Sequence, residues 1–485
     1  HIPFERPSLR LHAGRTHVFR GIVMILTARY VLPVVGRAIE NGAVVVQNGR
    51  IAAVSTLDEL RYWYPDDEVR DFGTAALIPG FVDAHSHLEY STMGGIFEDV
   101  PYAPWKARIV EKSRLLTPQD WEDAALLGAV QALSAGITAI ADVTQTGAPL
   151  RAIAATGQHG VIYREVTTPK KCDVEADMAA ADRDIQDWRA FAADRDMLVR
   201  VGIGPGSIYA VHPEVLRAIG EYADEQTPVA VHVAGSREEA DFIRYGSSPF
   251  ALAADSEESH AYEGLQSDTF LPTGVSPIRY ALNWGILYAP EVVAIHAICI
   301  EPGDIERLAE QNVGVVACPR SNAKLGNGVT PLLTFRDAHI PVALGTNSPA
   351  AADSTDPLEE MRFGLLLQRA TSGDKGFLSA HDMLRMSTID AARLIGMDKE
   401  IGSLEIGKRA DIVAVDLSNS MQVPTNSPHA AVVHSASRND VMMTMIDGRV
   451  VYDRAEGFSL PCEAERDDVD AILRRAEELR IRLRD

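Results

Sequence analysis

Cysteine is scarce: Cys172, Cys299, Cys318 and Cys462 are the only four in 485 residues, and no two form a Cys-x-x-Cys pair. That excludes a disulfide framework or a zinc finger and reads as reduced core thiols of a cytosolic protein. Apolar runs of membrane length are missing as well, since none approaches the ~20 residues that a span requires. Positive charge is short: Lys and Arg total 46 against 68 Asp and Glu, a net −22. So acidic a chain repels nucleic acid and anionic membrane surfaces and suits a small-molecule substrate, with a homo-oligomer left open. The first residues, His1-Ile2-Pro3-Phe4-Glu5-Arg6, have no initiating Met and no basic-then-apolar layout of a secretory signal. A cytoplasmic location is the expectation. What is present is length beyond one small domain and 46% apolar residues, enough for a sizeable core.

Local patterns divide the chain. Val44 to Gln47, Asn48-Gly49 and Arg50 to Val54 form a hairpin signal, because both turn residues must take positive φ. Val441 to Ile446, Asp447-Gly448 and Arg449 to Tyr452 repeat it near the other end. Between them, apolar strand runs and helical periods alternate as βα units. Thr117-Pro118-Gln119-Asp120 starts a helix that Gly136 stops, with Leu126, Leu127, Val130 and Leu133 on one face. Further buried strands are expected at 137–143, 199–203, 229–233, 292–298, 313–318 and 341–344. Helices fit at 213–224, 304–311 and 357–369. Eight units closing on themselves make an α/β fold, a (β/α)₈ barrel of the TIM type, with chemistry at the strand C-termini. Residues 236–290 are too long for an ordinary βα loop, and the polar stretch from Asp255 to Gly264 marks a candidate lid. Val469, Ile472, Leu473, Ala476, Leu479 and Leu483 make one face of a terminal helix, expected to pack on its own domain.

The chemistry starts from Leu77 to Glu89, an apolar run that leaves Pro79-Gly80 and ends in His85-Ser86-His87. On a strand, His85 and His87 share a face, and two imidazoles on one face can share a metal ion, zinc or iron. A bare His-x-His is more often one core and one exposed histidine. His232 and His296 change the balance, because each ends another apolar strand run at an equivalent barrel position.

These residues resemble the amidohydrolase superfamily over nearly the whole chain. Ile401 to Val413 resembles the segment by which such enzymes return from the barrel into a small β-sandwich. The implied division is a composite sandwich of 15–76 with 401–456, a barrel of 77–400 and a C-terminal helix in 457–485. Within the superfamily the chain is similar to purine-type deaminases, aminodeoxyfutalosine deaminase-like proteins included. His85 to Ser91, Pro101 to Trp105 and Gly274 to Tyr280 carry that narrower likeness, and Cys318 to Gly326 and Gly345 to Pro349 match the ends of the seventh and eighth strands. The resemblance implies one divalent metal, zinc before iron, held by His85, His87 and His232. It implies His296 and the residue at 347 as catalytic groups acting on a metal-activated water. Glu89, Trp105, Ser321 and Asn322 fall where such enzymes bind substrate.

Three positions depart from the pattern. Asn347 stands where the family has an Asp that ligates the metal and takes a proton, and an amide is a weak ligand and no base at neutral pH. Gly235 stands where the deaminases carry a proton-shuttling Glu, and Gly206 replaces a His. A positioned proton-transfer group is worth ~10²–10⁴-fold in rate. Glu238, Glu239 and Asp353 are the nearest acids, but no spacing argument puts any of them in the missing roles. The sequence therefore carries two readings. One is a metal-dependent hydrolase that deaminates a small aminated heterocycle or nucleoside-like compound. The other is a catalytically impaired relative, natural or engineered, that keeps the barrel and a small-molecule pocket. Without a carboxylate ligand the metal is expected at partial occupancy.

Overall fold

The computed structural model describes residues 23–168, 173–247, 272–373, 376–419, 421–461 and 469–484. The polar stretch Asp255 to Gly264 expected as a lid lies outside the described residues, as do Cys172 and Cys462.

Both hairpins form where their turn residues place them. Strands Ile39–Gln47 and Arg50–Thr56 pair antiparallel around Asn48 and Gly49, at φ 52° and 76°. Val441–Ile446 and Arg449–Asp453 pair around Asp447 and Gly448, at φ 49° and 74°. These strands belong to one nine-stranded sheet that also takes Val23–Val31, Glu68–Asp71, Ala75–Pro79, Ile412–Asp416 and Gly457–Phe458. The sheet joins the two ends of the chain where Ala75–Pro79 pairs with Ile412–Asp416. Its two hairpin turns then meet: a Cβ on Gly49 would lie 2.9 Å from the Asp447 carbonyl oxygen. The return segment binds both turns, through Ala410 N–H to Gly49 O at 2.9 Å and Gly448 N–H to Ala410 O at 3.1 Å. Leu26, Val44, Val46 and Ile51 pack with Ile412, Ala414, Met443 and Met445, so the sheet folds around a core of its own.

The second sheet holds eight parallel strands in sequential order: Phe81–Ser86, Ile137–Thr144, His159–Val166, Val199–Pro205, Val229–Val233, Val292–His296, Gly314–Ala317 and Val342–Leu344. A parallel bridge between Ser86 and Asn347 brings the last strand back to the first, so the sheet is a nearly closed TIM-type barrel. Two-sided burial explains the Val, Ile and Ala content of these runs. The helix before the second barrel strand begins as its sequence dictates, at Pro118, with Thr117 and Asp120 in a reciprocal capping box. Ser276 caps Pro277–Asn283 one way, its hydroxyl accepting the Arg279 N–H.

Two differences from the sequence reading have plain causes. Gly457–Phe458 adds a short strand to the terminal sheet, and the helix runs over Val469–Arg484. Within that helix Ile472, Ala476, Leu479 and Leu483 are buried while Leu473 is 48% exposed. The buried set repeats at i, i+4, i+7 and i+11, and Leu473 sits one position off that line. The face packs on its own chain, against Leu127 and Val130 at one end and Met93 and Trp105 at the other. Among the described residues no helix is long and apolar enough to cross a membrane.

Candidate active site and metal centre

All eight barrel strands point their C-termini to one mouth, and four histidines converge there. His85 Nε2 and His232 Nε2 are 3.3 Å apart. Ligand atoms of His85, His232 and His296 all lie within 4.8 Å of one another. His87 stands beside them, its ring stacked on His232 at 5.5 Å and edge-on to His85 at 4.8 Å. The tight trio is thus His85, His232 and His296, with His87 at its edge. His87 Nδ1 lies 2.9 Å from the Val143 carbonyl, to which it donates, leaving Nε2 free as an acceptor.

Burial governs the protonation of the cluster. His85 and His232 are held well below the usual imidazole range, by burial first and then by their neighbouring histidines. His87 is pushed down to about 4 by burial, with Glu165 opposing and Lys106 adding to the shift. His296 is also pushed down to about 4, by burial and then by His87. The imidazoles are therefore neutral at pH 7, and neutral nitrogens 3.3 Å apart are spaced as ligands around one small cation. That donor set fits a zinc-type ion, although it includes no carboxylate to offset the charge.

Asn347 closes the mouth with its backbone: its N–H donates to His85 O at 2.9 Å and its carbonyl accepts from His87 N–H at 2.8 Å. It does so at φ 61°, a left-handed conformation that Asn and Asp tolerate. Its side-chain Nδ2 donates to Ser321 Oγ at 3.1 Å, and Ser321 donates in turn to Cys318 O at 3.2 Å. Asn322, from the same Pro319–Lys324 helix, faces His296 and counteracts the fall in its pKa. His296 Nδ1 and Asn322 Oδ1 are both buried without a hydrogen bond.

A cavity of about 470 Å³ opens beside the histidines, lined by Glu89, Lys106, Trp121, Gln145, Glu165 and Tyr209, among others. Glu89 Oε2 accepts from Thr144 Oγ1 at 2.7 Å and Thr146 Oγ1 at 2.8 Å. Burial, with Glu165 assisting, raises the Glu89 carboxyl to about 7 against the pull of both hydroxyls. Trp105 does not line this cavity. Its indole N–H goes to Ala350 O at 2.9 Å and its ring packs among Met93, Ile109 and Leu325. Trp121, one turn into the next helix, takes the position at the wall.

Gly235 and Gly206 sit at the mouth, each with a neighbouring side chain 3.3 Å from where a Cβ would stand. A Cβ on Gly235 would lie 3.3 Å from His296 Cδ2 and 3.5 Å from Glu239 Oε2, so a longer side chain there would point at the site. Glu239 is buried behind it, with Oε1 accepting from Ala234 N–H and Oε2 from Gly235 N–H, both at 2.8 Å. Its carboxyl is raised to about 7 by burial. Asp353 offers no substitute, being bound to Lys324 at 2.5 Å and to the Gly95 N–H at 3.1 Å.

Several contributors escaped the sequence reading. Asp83 is buried on the first barrel strand, accepting from Thr346 N–H at 2.8 Å and from its hydroxyl, and is raised to about 7 by burial. Asp142 Oδ2 accepts the Leu88 N–H at 2.7 Å and so fixes the loop after His87. Asp83 shares the face of His85 two residues on, which is a signal the sequence offered. Lys106 and Glu165 offered none, since only folding brings them to the cavity.

Residues 76–451 match the amidohydrolase family. A 5-methylthioadenosine/S-adenosylhomocysteine deaminase of Symbiobacterium thermophilum is 30% identical over 437 residues, covering 89% of this chain and 93% of that protein. A 5′-deoxyadenosine deaminase of Methanobrevibacter smithii is 27% identical over 422 residues, covering 85% and 88%. An adenosine deaminase from Xanthomonas campestris, solved with bound zinc, superposes with a TM-score of 0.79 at 25% identity, covering 95% of this chain and 98% of the other.

Proposed function

The chain belongs to the amidohydrolase family, and from that premise we propose that it deaminates a small adenosine-like heterocycle by hydrolysis of a C–N bond. The observation that carries the reading is the neutral, buried histidine cluster, whose His87 ring lies 5.7 Å from that of Tyr90 in the wall of the 470 Å³ cavity, a volume within the range of small-molecule sites.

His85, His87 and His232 would hold the divalent metal, zinc in first place, with His296 beside them, its ligand atom within 4.8 Å of those of His85 and His232. A cation bound there supplies Lewis acidity and makes a water a better nucleophile near neutral pH. The chain's own residues do the rest. His296, neutral and facing Asn322, is placed to accept a hydrogen bond from the attacking water. Asn347 holds the His85–His87 segment in register and, as an amide, takes no proton. Glu89, anchored by Thr144 and Thr146, is placed to accept hydrogen bonds from sugar-like hydroxyls. Trp121, Tyr90 and Tyr209 give the cavity apolar walls for a flat ring.

The proton route on the ring side is the weak step. Gly235 has no side chain, and both Glu239 oxygens are engaged by backbone N–H groups. This favours a second reading, a relative that binds such compounds and turns them over slowly. Calorimetric binding and ammonia release separate the two, using zinc-loaded protein with adenosine, 5′-thioether adenosines, guanine and aminated pterins. Zinc-dependent release from an adenosine-like compound supports deamination. Binding without release supports the second reading, and the absence of both contradicts each.

A further inference from the structure

At the opposite end of the barrel a second group of possible ligands meets. His159 begins the third barrel strand, Asp411 sits in the return segment just before Ile412–Asp416, and Asp447 occupies the turn of the second hairpin. A strand of eight residues separates this end from the mouth, roughly 25 Å at 3.3 Å per residue. The ligand atoms of all three lie within 4.8 Å of one another.

We propose that His159, Asp411 and Asp447 form a second divalent-cation site, of the zinc type, that ties the base of the barrel to the terminal sheet. Three observations carry it. First, His159 Nε2 and Asp411 Oδ2 are each buried, with side chains 4% and 2% exposed, and neither makes a hydrogen bond. The two face each other as an ion pair too long for a hydrogen bond, and a core pair held that far apart is costly unless something lies between its members. Second, their separations are those of a coordination shell. His159 Nε2 is 3.5 Å from Asp411 Oδ2 and 3.8 Å from Asp447 Oδ2. A hydrogen bond would close to about 2.7–3.2 Å, whereas ligand atoms ~2.1 Å from a tetrahedral zinc stand about 3.4 Å apart. Third, the site has an entrance. Asp447 is partly exposed, and it and His159 line a groove of about 1270 Å³ with Arg409, Gln158 and Gly448.

The surroundings set the strength. Asp411 Oδ1 accepts the Asp447 N–H at 3.1 Å, which holds the two carboxylates in a fixed relation. Arg409 Nη1 bonds both oxygens of Asp447 at 2.8 Å and draws part of its charge away from a cation. Two carboxylates still outweigh one guanidinium, and an imidazole with a water completes four ligands. The ion would join three segments that belong to the barrel, the return loop and the hairpin.

Equilibrium dialysis against zinc, with metal counted per chain, tests this in the parent, His159→Ala and His85→Ala. His159→Ala is expected to bind about one equivalent fewer than the parent, and His85→Ala to keep that equivalent. A folded His159→Ala that binds as much zinc as the parent overturns the proposal, and the trio is then an ion-pair clamp. Should His159→Ala not fold, zinc-edge anomalous diffraction from parent crystals soaked at about 1 mM zinc, the weak end of specific binding, decides. A peak between the three side chains supports the site, and its absence there overturns it. The mouth gives its own peak at the other end of the barrel, so the two readings fail separately.

Discussion

Asn347→Asp replaces an amide by a carboxylate at the mouth with almost no change of shape. The backbone accepts it, because Asp tolerates φ 61° as Asn does and both backbone bonds to the His85–His87 segment remain. The lost donor is Nδ2 to Ser321, and the Ser321 hydroxyl can turn from Cys318 O to donate to the new carboxylate. The electrostatic change is large, since three neutral imidazoles gain a negative partner in a buried site. Defects behind the ligands lower metal affinity ~10–100-fold, and a direct charged ligand is expected to add at least that. Tenfold tighter binding adds ~1.4 kcal/mol of zinc-dependent stability at saturating metal. Chelator competition gives the affinity directly, and melting with and without zinc gives the stability. Without metal the variant should melt lower than the parent, because a buried carboxylate then lacks its cation. A folded Asn347→Asp with the parent's zinc affinity refutes the placement of residue 347 at the metal.

Other perturbations probe separate parts. Glu89 is raised from 4.5 to about 7, so the folded chain holds its proton between those values where the unfolded chain has released it. Stability from this group is present below pH 4.5 and falls as pH rises to 7, by ~3 kcal/mol; Glu89→Gln, whose amide oxygen still accepts from both threonines, should flatten that part of a pH–melting series. Ile472→Ala should destabilise by roughly 2 kcal/mol or more in urea melts while Leu473→Ala stays within ~0.5, because only Ile472 is buried. Trp105→Phe should lower stability by ~1–3 kcal/mol, leaving the Ala350 carbonyl unpaired, with substrate affinity unchanged; Trp121→Ala should weaken substrate binding instead.

What the sequence made legible was local or periodic. Asn48-Gly49 and Asp447-Gly448 announce their turns because Asn, Asp and Gly take positive φ more readily than other residues. The barrel follows from apolar runs of strand length between capped helices. The meeting of His85, His87, His232 and His296 follows from their common place at strand ends, since parallel strands of a barrel share a mouth. What stayed hidden depends on side-chain direction or on distant pairing. Trp105 and Trp121 look alike in sequence, and only the packing of two helices turns one to the core and the other to the cavity. Glu239 is in sequence one of three nearby acids with no spacing argument for a role, and only the fold turns it inward onto the Gly235 N–H. Asp411 and Asp447 lie 36 residues apart, but His159 belongs to a distant barrel strand, so the three meet only where the base of the barrel packs on the terminal sheet.

The most direct measurement is the turnover number of the zinc-loaded parent on its best adenosine-like substrate, beside that of Asn347→Asp/Gly235→Glu. A glutamate at 235 must displace His296 slightly, given 3.3 Å from its Cβ to Cδ2, and then stands next to Glu239 in reach of the ring side of the site. The account predicts a parent at least ~10²-fold below the ~10 s⁻¹ enzyme median. The double variant should gain more than the product of its single variants, because proton donor and acceptor serve one cycle. A parent that already turns over near ~10 s⁻¹, with no gain in the double variant, contradicts it.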